Sequence, residues 1–254
     1  MSGSLSTQKI YDTNASKWVR TQPTLLSDFT ARPYVIEAMM PLKGCNVLDL
    51  GCGEGYTARL AAKEGAASIF GIDLSAEMIS RARAATTADG SCEFQYETAD
   101  ASDFEHFPRE CYDRIMATFL FNYVTVEQMT QIMVRAQQLL APEGRFVFSV
   151  PHPSYAFLRE NNAPFYFESE GQSYTGSINQ TLEGAIWDLE GVAVPVRCVH
   201  KTFGDYFDSL RRAGFTKMPV VRELSVNEEL VETHPEFFTP LIGYPLHVLI
   251  SVEA

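Results

Sequence analysis

The fold of this chain is decided by residues 46–56, Asn46-Val-Leu-Asp-Leu-Gly-Cys-Gly-Glu-Gly-Tyr56. The run from Val47 to Leu50 is short and apolar apart from one acid, which is typical of a strand buried on both faces of a sheet. The alanine-rich stretch from Tyr56 to Glu64 predicts a helix. Between strand and helix stand three glycines at alternate positions, Gly51, Gly53 and Gly55. Open α/β sheets use this order of strand, glycine turn and helix to present backbone N–H groups to a nucleotide-like ligand.

The glycine spacing separates two classes of ligand. A dinucleotide fingerprint, Gly-x-Gly-x-x-Gly, has its third glycine where this chain has Tyr56, which argues against a pyrophosphate cradle and a dehydrogenase. The pattern Asp49-x-Gly51-x-Gly53-x-Gly55 instead resembles motif I of the class I S-adenosylmethionine-dependent methyltransferases. A glycine turn without any ligand is the alternative. The acid on the buried strand, two positions before the first glycine, speaks against it.

The resemblance implies a site for S-adenosyl-L-methionine, with S-adenosyl-L-homocysteine as product. Asp73 ends the next predicted strand, about twenty residues beyond the glycines, where a carboxylate can accept hydrogen bonds from both ribose hydroxyls. Asp100 matches the family position that accepts from the adenine amino group, and Asp103 is its competitor. Tyr11 matches a leading Tyr-Asp-x-x-Ala helix that caps the cofactor, although plain packing of that helix is equally open. The expected cofactor-binding residues are Tyr11, Asp49, Gly51, Cys52, Gly53, Asp73, Leu74, Met78, Asp100, Ala101, Thr118 and Phe119.

Composition narrows the partners and the compartment. The formal net charge of −12 argues against nucleic acid and against an anionic membrane surface. The five cysteines form no Cys-x-x-Cys pair, which favours free thiols in a reducing compartment and no metal site. Neither a signal-peptide pattern nor an apolar run of membrane-spanning length is present. We therefore expect a cytoplasmic protein, and a homodimer is an open alternative.

Predicted strands and helices alternate through the rest of the chain, outside one segment. The resemblance implies an α/β fold with a Rossmann-like, doubly wound, seven-stranded sheet whose last strand is antiparallel and inserted as a hairpin. The joint from Leu140 to Phe146, Leu-Ala-Pro-Glu-Gly-Arg-Phe, is similar to joints that recur in the family. The predicted strands after motif I are 68–74, 92–101, 110–119, 145–150, 216–224 and 247–252, and the longer predicted helices are 126–140 and 202–214.

The alternation stops between Pro151 and Lys201, where aromatic residues become frequent. About fifty residues are too many for an idle loop in a compact domain. The stretch from Gly184 to Arg197 predicts a β-hairpin that turns near Glu190-Gly191. We interpret 151–201 as an insertion after the fifth strand that serves as a lid or acceptor-binding subdomain; a structural extension or dimer contact is the alternative. The predicted organisation is 1–150, N-terminal cap helices and cofactor-binding core; 151–201, insertion; 202–254, remainder of the core.

The resemblance predicts methyl transfer to an N, O or activated C atom of a small metabolite or natural product. The Asn-Pro-Pro-Tyr sequence of nucleic-acid amino-methylating enzymes does not occur, and neither does a Cys/His metal cluster. Three alternatives stay open: a protein or tRNA methyltransferase, a dehydrogenase on a similar fold, against which Tyr56 argues, and a non-catalytic S-adenosylmethionine-binding partner subunit. Binding and chemistry use different residues, so motif I does not exclude the last.

Two histidines flank the insertion and are the candidate catalytic residues, His152 and His200. An imidazole titrates near neutral pH and can take a proton from a hydroxyl or an ammonium group. A purely structural histidine is the alternative for each. The other histidines are weaker candidates for a catalytic role: His106, His234 and His247. We expect those three on loops or on the closing strand, away from this edge of the sheet.

Overall fold

The structure, a computed structural model, describes residues 22–86, 90–102, 111–158 and 164–254. Tyr11, Asp103 and His106 lie outside the described residues. The strands within these ranges are β1 (Asn46–Leu50), β2 (Ser68–Asp73), β3 (Glu93–Thr98), β4 (Tyr112–Thr118), β5 (Leu140–Pro151), β6 (Phe165–Phe167), β7 (Thr181–Trp187), β8 (Ala193–Val199), β9 (Val220–Leu224) and β10 (His247–Glu253).

Two of the described α-helices precede β1, and the others lie between strands. The helices are α1 (Leu26–Thr30), α2 (Arg32–Met39), α3 (Tyr56–Lys63), α4 (Ala76–Ala85), α5 (Val126–Leu139), α6 (Tyr155–Leu158), α7 (Phe203–Arg212), α8 (Glu228–Thr233) and α9 (Pro235–Phe238), with 3₁₀ turns at Phe121–Tyr123 and Thr239–Leu241. No helix within the described ranges has both the length and the apolar character needed to cross a bilayer.

The main sheet has seven strands in the order β3-β2-β1-β4-β5-β10-β9. The strands from β3 to β5 are parallel neighbours, and β10 runs antiparallel to both β5 and β9. The Rossmann-like, doubly wound sheet with its last strand antiparallel is therefore confirmed. The strand order changes direction between β1 and β4, and in such sheets ligands bind outside the carboxyl ends of the strands at this point.

Helices cover both faces of the sheet. Helices α5 and α7 pack on one face, where Met129 and Met133 are fully buried in the core, as expected from their spacing. Helices α2, α3 and α4 pack on the other face through residues such as Val35, Ala61 and Ile79. With both faces covered by helices, we look for a ligand site at the carboxyl ends of the parallel strands.

The direction of β10 matters for the site. Its first residue, His247, pairs with Pro151 at the end of β5 and with Leu224 at the end of β9. Because β10 is antiparallel, it begins at the edge where its parallel neighbours end.

Two strands begin more than two residues away from their predicted starts. Strand β5 begins at Leu140 directly after α5, and the register shifts because Tyr112 pairs with Leu140 while Arg114 pairs with Arg145. Glu143, with φ of 65°, lies in the bulge that absorbs the extra residues. Strand β9 begins at Val220, just after a proline that has no N–H for the ladder.

Residues 225–244, between β9 and β10, hold α8, α9 and a 3₁₀ turn.

The insertion forms a second, three-stranded antiparallel sheet, β6-β7-β8, with the turn of its hairpin at residues 188–192 as expected. The turn is attached to the segment before α1, since the Leu189 N–H donates to the Thr24 carbonyl at 3.0 Å. The other end is attached to the core by Lys201, which is 1% exposed. Its ammonium donates to the carbonyls of Phe121 (2.7 Å) and Val199 (2.9 Å), and burial lowers its pKa to about 8.

Candidate functional site

A cavity of about 480 Å³ lies at the carboxyl ends of β1, β2 and β4. Its lining includes every expected cofactor residue that the structure describes: Asp49, Gly51, Cys52, Gly53, Asp73, Leu74, Met78, Asp100, Ala101, Thr118 and Phe119. These residues come from four separate strand ends and are brought together by the parallel arrangement. We call this space the main cavity.

The glycine turn forms one wall of the main cavity. Gly53 has φ of 55°, and a Cβ built on it would meet no atom within 4 Å. Glycine is therefore needed there for its backbone conformation, while the space beside it stays open for a ligand to approach the backbone. A Cβ on Gly51, with φ of 71°, would lie 3.1 Å from the Leu120 side chain.

Asp73 is fixed beside this turn by backbone donors. Its Oδ2 accepts from the Gly53 N–H at 2.9 Å, and its Oδ1 accepts from the Ser75 N–H at 2.9 Å. The Ser75 side chain in turn caps α4 by accepting from the Met78 N–H. The carboxylate at the end of β2 is thus held in one orientation, next to the backbone of the glycine turn.

Asp49 is the most unusual group of the main cavity. It is 1% exposed, and neither of its carboxylate oxygens has a hydrogen-bond partner among the described residues. Burial raises its pKa to about 8, the nearby carboxylate of Asp73 adds to this, and the Arg32 guanidinium acts in the opposite direction. A buried, unpaired carboxyl group is costly, so this side of the cavity favours a ligand that brings a donor or a positive charge.

A second, smaller cavity of about 60 Å³ adjoins the first, and we call it the small cavity. It lies between the insertion sheet, the residues after β4 and the first residue of β10. Four residues line both cavities: Arg32, Phe119, Tyr123 and Arg197. Phe119 has φ of 60°, a left-handed conformation that is rare for a bulky residue, and its N–H donates to the Ser149 carbonyl at 2.9 Å.

Arg32 lies at this junction through well-defined contacts. Its Nη1 donates to Asp28 Oδ1 at 3.0 Å and also contacts the Ser27 hydroxyl. Its guanidinium carbon is 5.2 Å from the centre of the Phe119 ring. Among the described residues of the insertion, Arg197 alone lines the main cavity. Neither arginine was among the residues predicted from the sequence.

His152 and His200 do not line either cavity. His152 Nε2 is 2.8 Å from Glu223 Oε1, and its Nδ1 accepts from the Ser154 N–H at 3.2 Å. His200 Nε2 donates to the Tyr174 carbonyl at 2.7 Å, and burial lowers the pKa of His200. Each imidazole is held by protein groups, so the geometry gives no support to either as a base at the cavities.

His247, in contrast, lines the small cavity, and its ring is 5.1 Å from that of Phe119. The expectation that His247 lies away from this edge is wrong, because antiparallel β10 starts there. Thr30 Oγ1 is 3.1 Å from His247 Nδ1 and donates its one hydrogen to the Leu26 carbonyl at 2.9 Å. His247 Nδ1 is therefore the donor to Thr30, and Nε2 is left as an acceptor. Burial, then the Arg32 guanidinium and His152, lower the pKa of His247 to about 3.

Comparison with known proteins agrees with this geometry. A family model described as a methyltransferase domain matches residues 47–144. The crystal structure of a S-adenosylmethionine-dependent methyltransferase from Mesorhizobium loti is similar, with 28% sequence identity and a TM-score of 0.65. The similarity covers 89% of this chain and 99% of that one.

Two curated relatives are similar to this chain in amino-acid sequence. A malonyl-[acyl-carrier protein] O-methyltransferase of Priestia megaterium is 27% identical over 78% of this chain and 73% of its own length. A trans-aconitate 2-methyltransferase of Streptomyces avermitilis is 30% identical over 56% of this chain and 55% of its own length. Together with the sheet order and the glycine turn, these similarities place the chain in the class I S-adenosylmethionine-dependent methyltransferases, with S-adenosylmethionine as its cofactor.

Proposed function

We propose that this methyltransferase transfers the methyl group to an N, O or activated C atom of a small molecule. The observation that carries the proposal is the pair of adjoining cavities, because their shared walls enclose a space of small-molecule size next to the glycine turn. The net charge of −12 weighs against a tRNA acceptor. The names of the relatives above, a trans-aconitate and a malonyl-[acyl-carrier protein] methyltransferase, are in line with a small acceptor group.

We assign cofactor-binding roles to the residues of the main cavity. The fixed carboxylate of Asp73 would accept from the ribose hydroxyls, and Asp100 with Ala101 would contact the adenine. Gly51, Cys52 and Gly53 would bring the backbone close to the cofactor, where a side chain at Gly53 would fill the open space. The unpartnered, buried carboxyl of Asp49 fits a positively charged ligand, because such a ligand would favour its ionised form.

The residues of the chain then act by alignment and by excluding water. When bound, the cofactor supplies an electrophilic methyl group on a positively charged sulfur. Thr118 lines the main cavity and Phe119 lines both cavities, and we expect them to restrict the direction from which the acceptor approaches the methyl group. His247 can accept a hydrogen bond from the acceptor but binds a proton weakly, since its pKa is about 3. An acceptor that arrives already nucleophilic suits this site.

Titration calorimetry with S-adenosylhomocysteine tests the cofactor roles. The unmodified protein should bind it, and Asp73→Ala should weaken binding by about 10- to 100-fold, the range for hydrogen bonds to a charged group. Asp208→Ala is the matched control, because Asp208 is an exposed acid on α7. Equal affinity in Asp73→Ala and in the control would refute the ribose assignment.

Label transfer tests the acceptor class. The protein is incubated with S-adenosylmethionine carrying a labelled methyl group and with a cell extract separated into small-molecule, protein and RNA fractions. Label should accumulate in the small-molecule fraction. Label confined to the protein or RNA fraction would refute the proposal.

A further inference from the structure

Acidic and basic residues line different parts of the two cavities. The main cavity carries four acids at its cofactor end, Asp49, Glu54, Asp73 and Asp100. The lining of the small cavity, within the described part of the chain, contains two arginines and no acid. Those arginines, Arg32 and Arg197, also line the main cavity, so positive charge is concentrated where the two spaces adjoin.

Arg32 is held in place from both sides. Asp28 fixes its guanidinium at 3.0 Å and itself accepts from the N–H groups of Thr24 and Leu25, both at 3.0 Å. The guanidinium lies over the Phe119 ring and close enough to His247 to lower the pKa of that imidazole. Its position therefore does not depend on a ligand, and a ligand would meet it already oriented.

Asn122 is a further polar group in the lining of the small cavity. It is 3% exposed, and its side-chain oxygen has no hydrogen-bond partner among the described residues. A buried amide oxygen without a partner is uncommon and points to a ligand at this position. The amide can present either its oxygen or its NH₂ group, since rotation of the side chain exchanges them.

Besides these groups and Ser27, Tyr123 and His247, the small cavity is lined by six apolar residues: Phe119, Pro151, Phe165, Phe167, Ile186 and Val196. In such surroundings hydrogen bonds to a charged group are stronger than in water. A guanidinium is planar and matches the two oxygens of a carboxylate.

We infer that the methyl acceptor is a small carboxylic acid whose carboxylate is bound between Arg197 and Arg32 where the two cavities adjoin. The inference rests on the proposed function. It assigns to the insertion a defined chemical task, because Arg197 on β8 is its contribution to the junction. An acceptor held this way presents the rest of its structure to the main cavity.

Binding of matched acids and amides tests the inference. The full-length chain is saturated with S-adenosylhomocysteine, and the affinities of acetate, hexanoate and benzoate are compared with those of acetamide, hexanamide and benzamide by calorimetry. At least one acid should bind about 10-fold or more tightly than its amide, because a charge-assisted hydrogen bond is lost in the amide. Equal affinity in all three pairs overturns the inference. Tighter binding of phenyl phosphate than of benzoate also overturns it.

Variants of Arg197 identify the group responsible. Arg197→Gln should weaken binding of the best acid by about 10- to 100-fold and leave its amide unchanged, and Arg197→Lys should restore part of the loss. Arg211→Gln is the control, because Arg211 is an exposed arginine on α7. Arg32→Lys is a second variant that keeps a positive charge beside buried Asp28.

The same variants separate this inference from the function on which it rests. S-adenosylhomocysteine affinity should be unchanged in Arg197→Gln. If that affinity falls while acid binding persists, the guanidinium binds the carboxylate of the cofactor, and the inference is overturned. If the unmodified protein fails to bind S-adenosylhomocysteine at all, the proposed cofactor site is refuted instead.

Discussion

Replacing Asp49 by asparagine should stabilise the ligand-free protein at pH 8. The carboxyl group has a pKa of about 8 in the folded chain and 3.8 as its ordinary value, so the folded state binds the additional proton between these limits. Stability from this group is therefore present at low pH and is lost as the pH rises from about 4 to about 8. The loss is about 1.4 kcal/mol of unfolding free energy per pH step, or about 4 kcal/mol from pH 5 to pH 8.

Asp49→Asn removes this dependence and introduces a buried amide, which costs about 1–3 kcal/mol at every pH if it finds no partner. The variant should thus be close to the wild type in stability at pH 5 and about 2–4 kcal/mol more stable at pH 8. Other buried groups, such as His247 and Lys201, titrate in both proteins and cancel in the difference.

Urea denaturation at pH 5, 6, 7 and 8, followed by circular dichroism, measures the effect. Asp208→Asn, which changes an exposed acid, should show no comparable trend. A stability difference between Asp49→Asn and the wild type that is the same at pH 5 and pH 8 would refute the reasoning. The same variant should bind S-adenosylmethionine more weakly, because it cannot offer a negative charge.

Three further results are expected. His152→Ala and His200→Ala should each keep turnover within about 10-fold of the wild type, whereas loss of a true base would cost about 100- to 10,000-fold. His247→Gln should flatten the stability profile at acid pH: the folded pKa of about 3 lies below the ordinary 6.5, so the wild type loses stability as the pH falls through that window; identical urea profiles would contradict this. Between about pH 8 and 10.5 the folded chain binds fewer protons at Lys201 than the unfolded chain does, so wild-type stability should rise with pH in this range. Lys201→Met should remove this rise. A rise that persists in the variant would show that another group causes it.

The cofactor end of the site could be predicted from the sequence because its determinants are local. A glycine turn and an acid at a strand end are adjacent in sequence to the strands that place them. Parallel strands then bring Asp49, Asp73 and Asp100 to one edge without further information. These residues accordingly all line one cavity.

The small cavity and its junction with the main cavity could not be predicted in the same way. Arg197 reaches the cavity only because the hairpin β7–β8 folds back toward the 3₁₀ turn after β4, a contact between distant parts of the chain. His247 depends on the antiparallel direction of β10, which reverses the rule that strand ends, and not strand starts, carry the site. Arg32 had a weak signal, since it stands directly before Pro33 at the start of the helix that leads into β1.

The insertion is attached to the rest of the protein at both ends of its hairpin. The turn of the hairpin is hydrogen-bonded to the Thr24 carbonyl, and the end of the insertion is fixed by the buried ammonium of Lys201. These two attachments hold the hairpin against the rest of the protein at its turn and at its exit. If the insertion binds the acceptor as we propose, an altered acceptor preference is to be sought in the side chains of β8 rather than in the length of its loops.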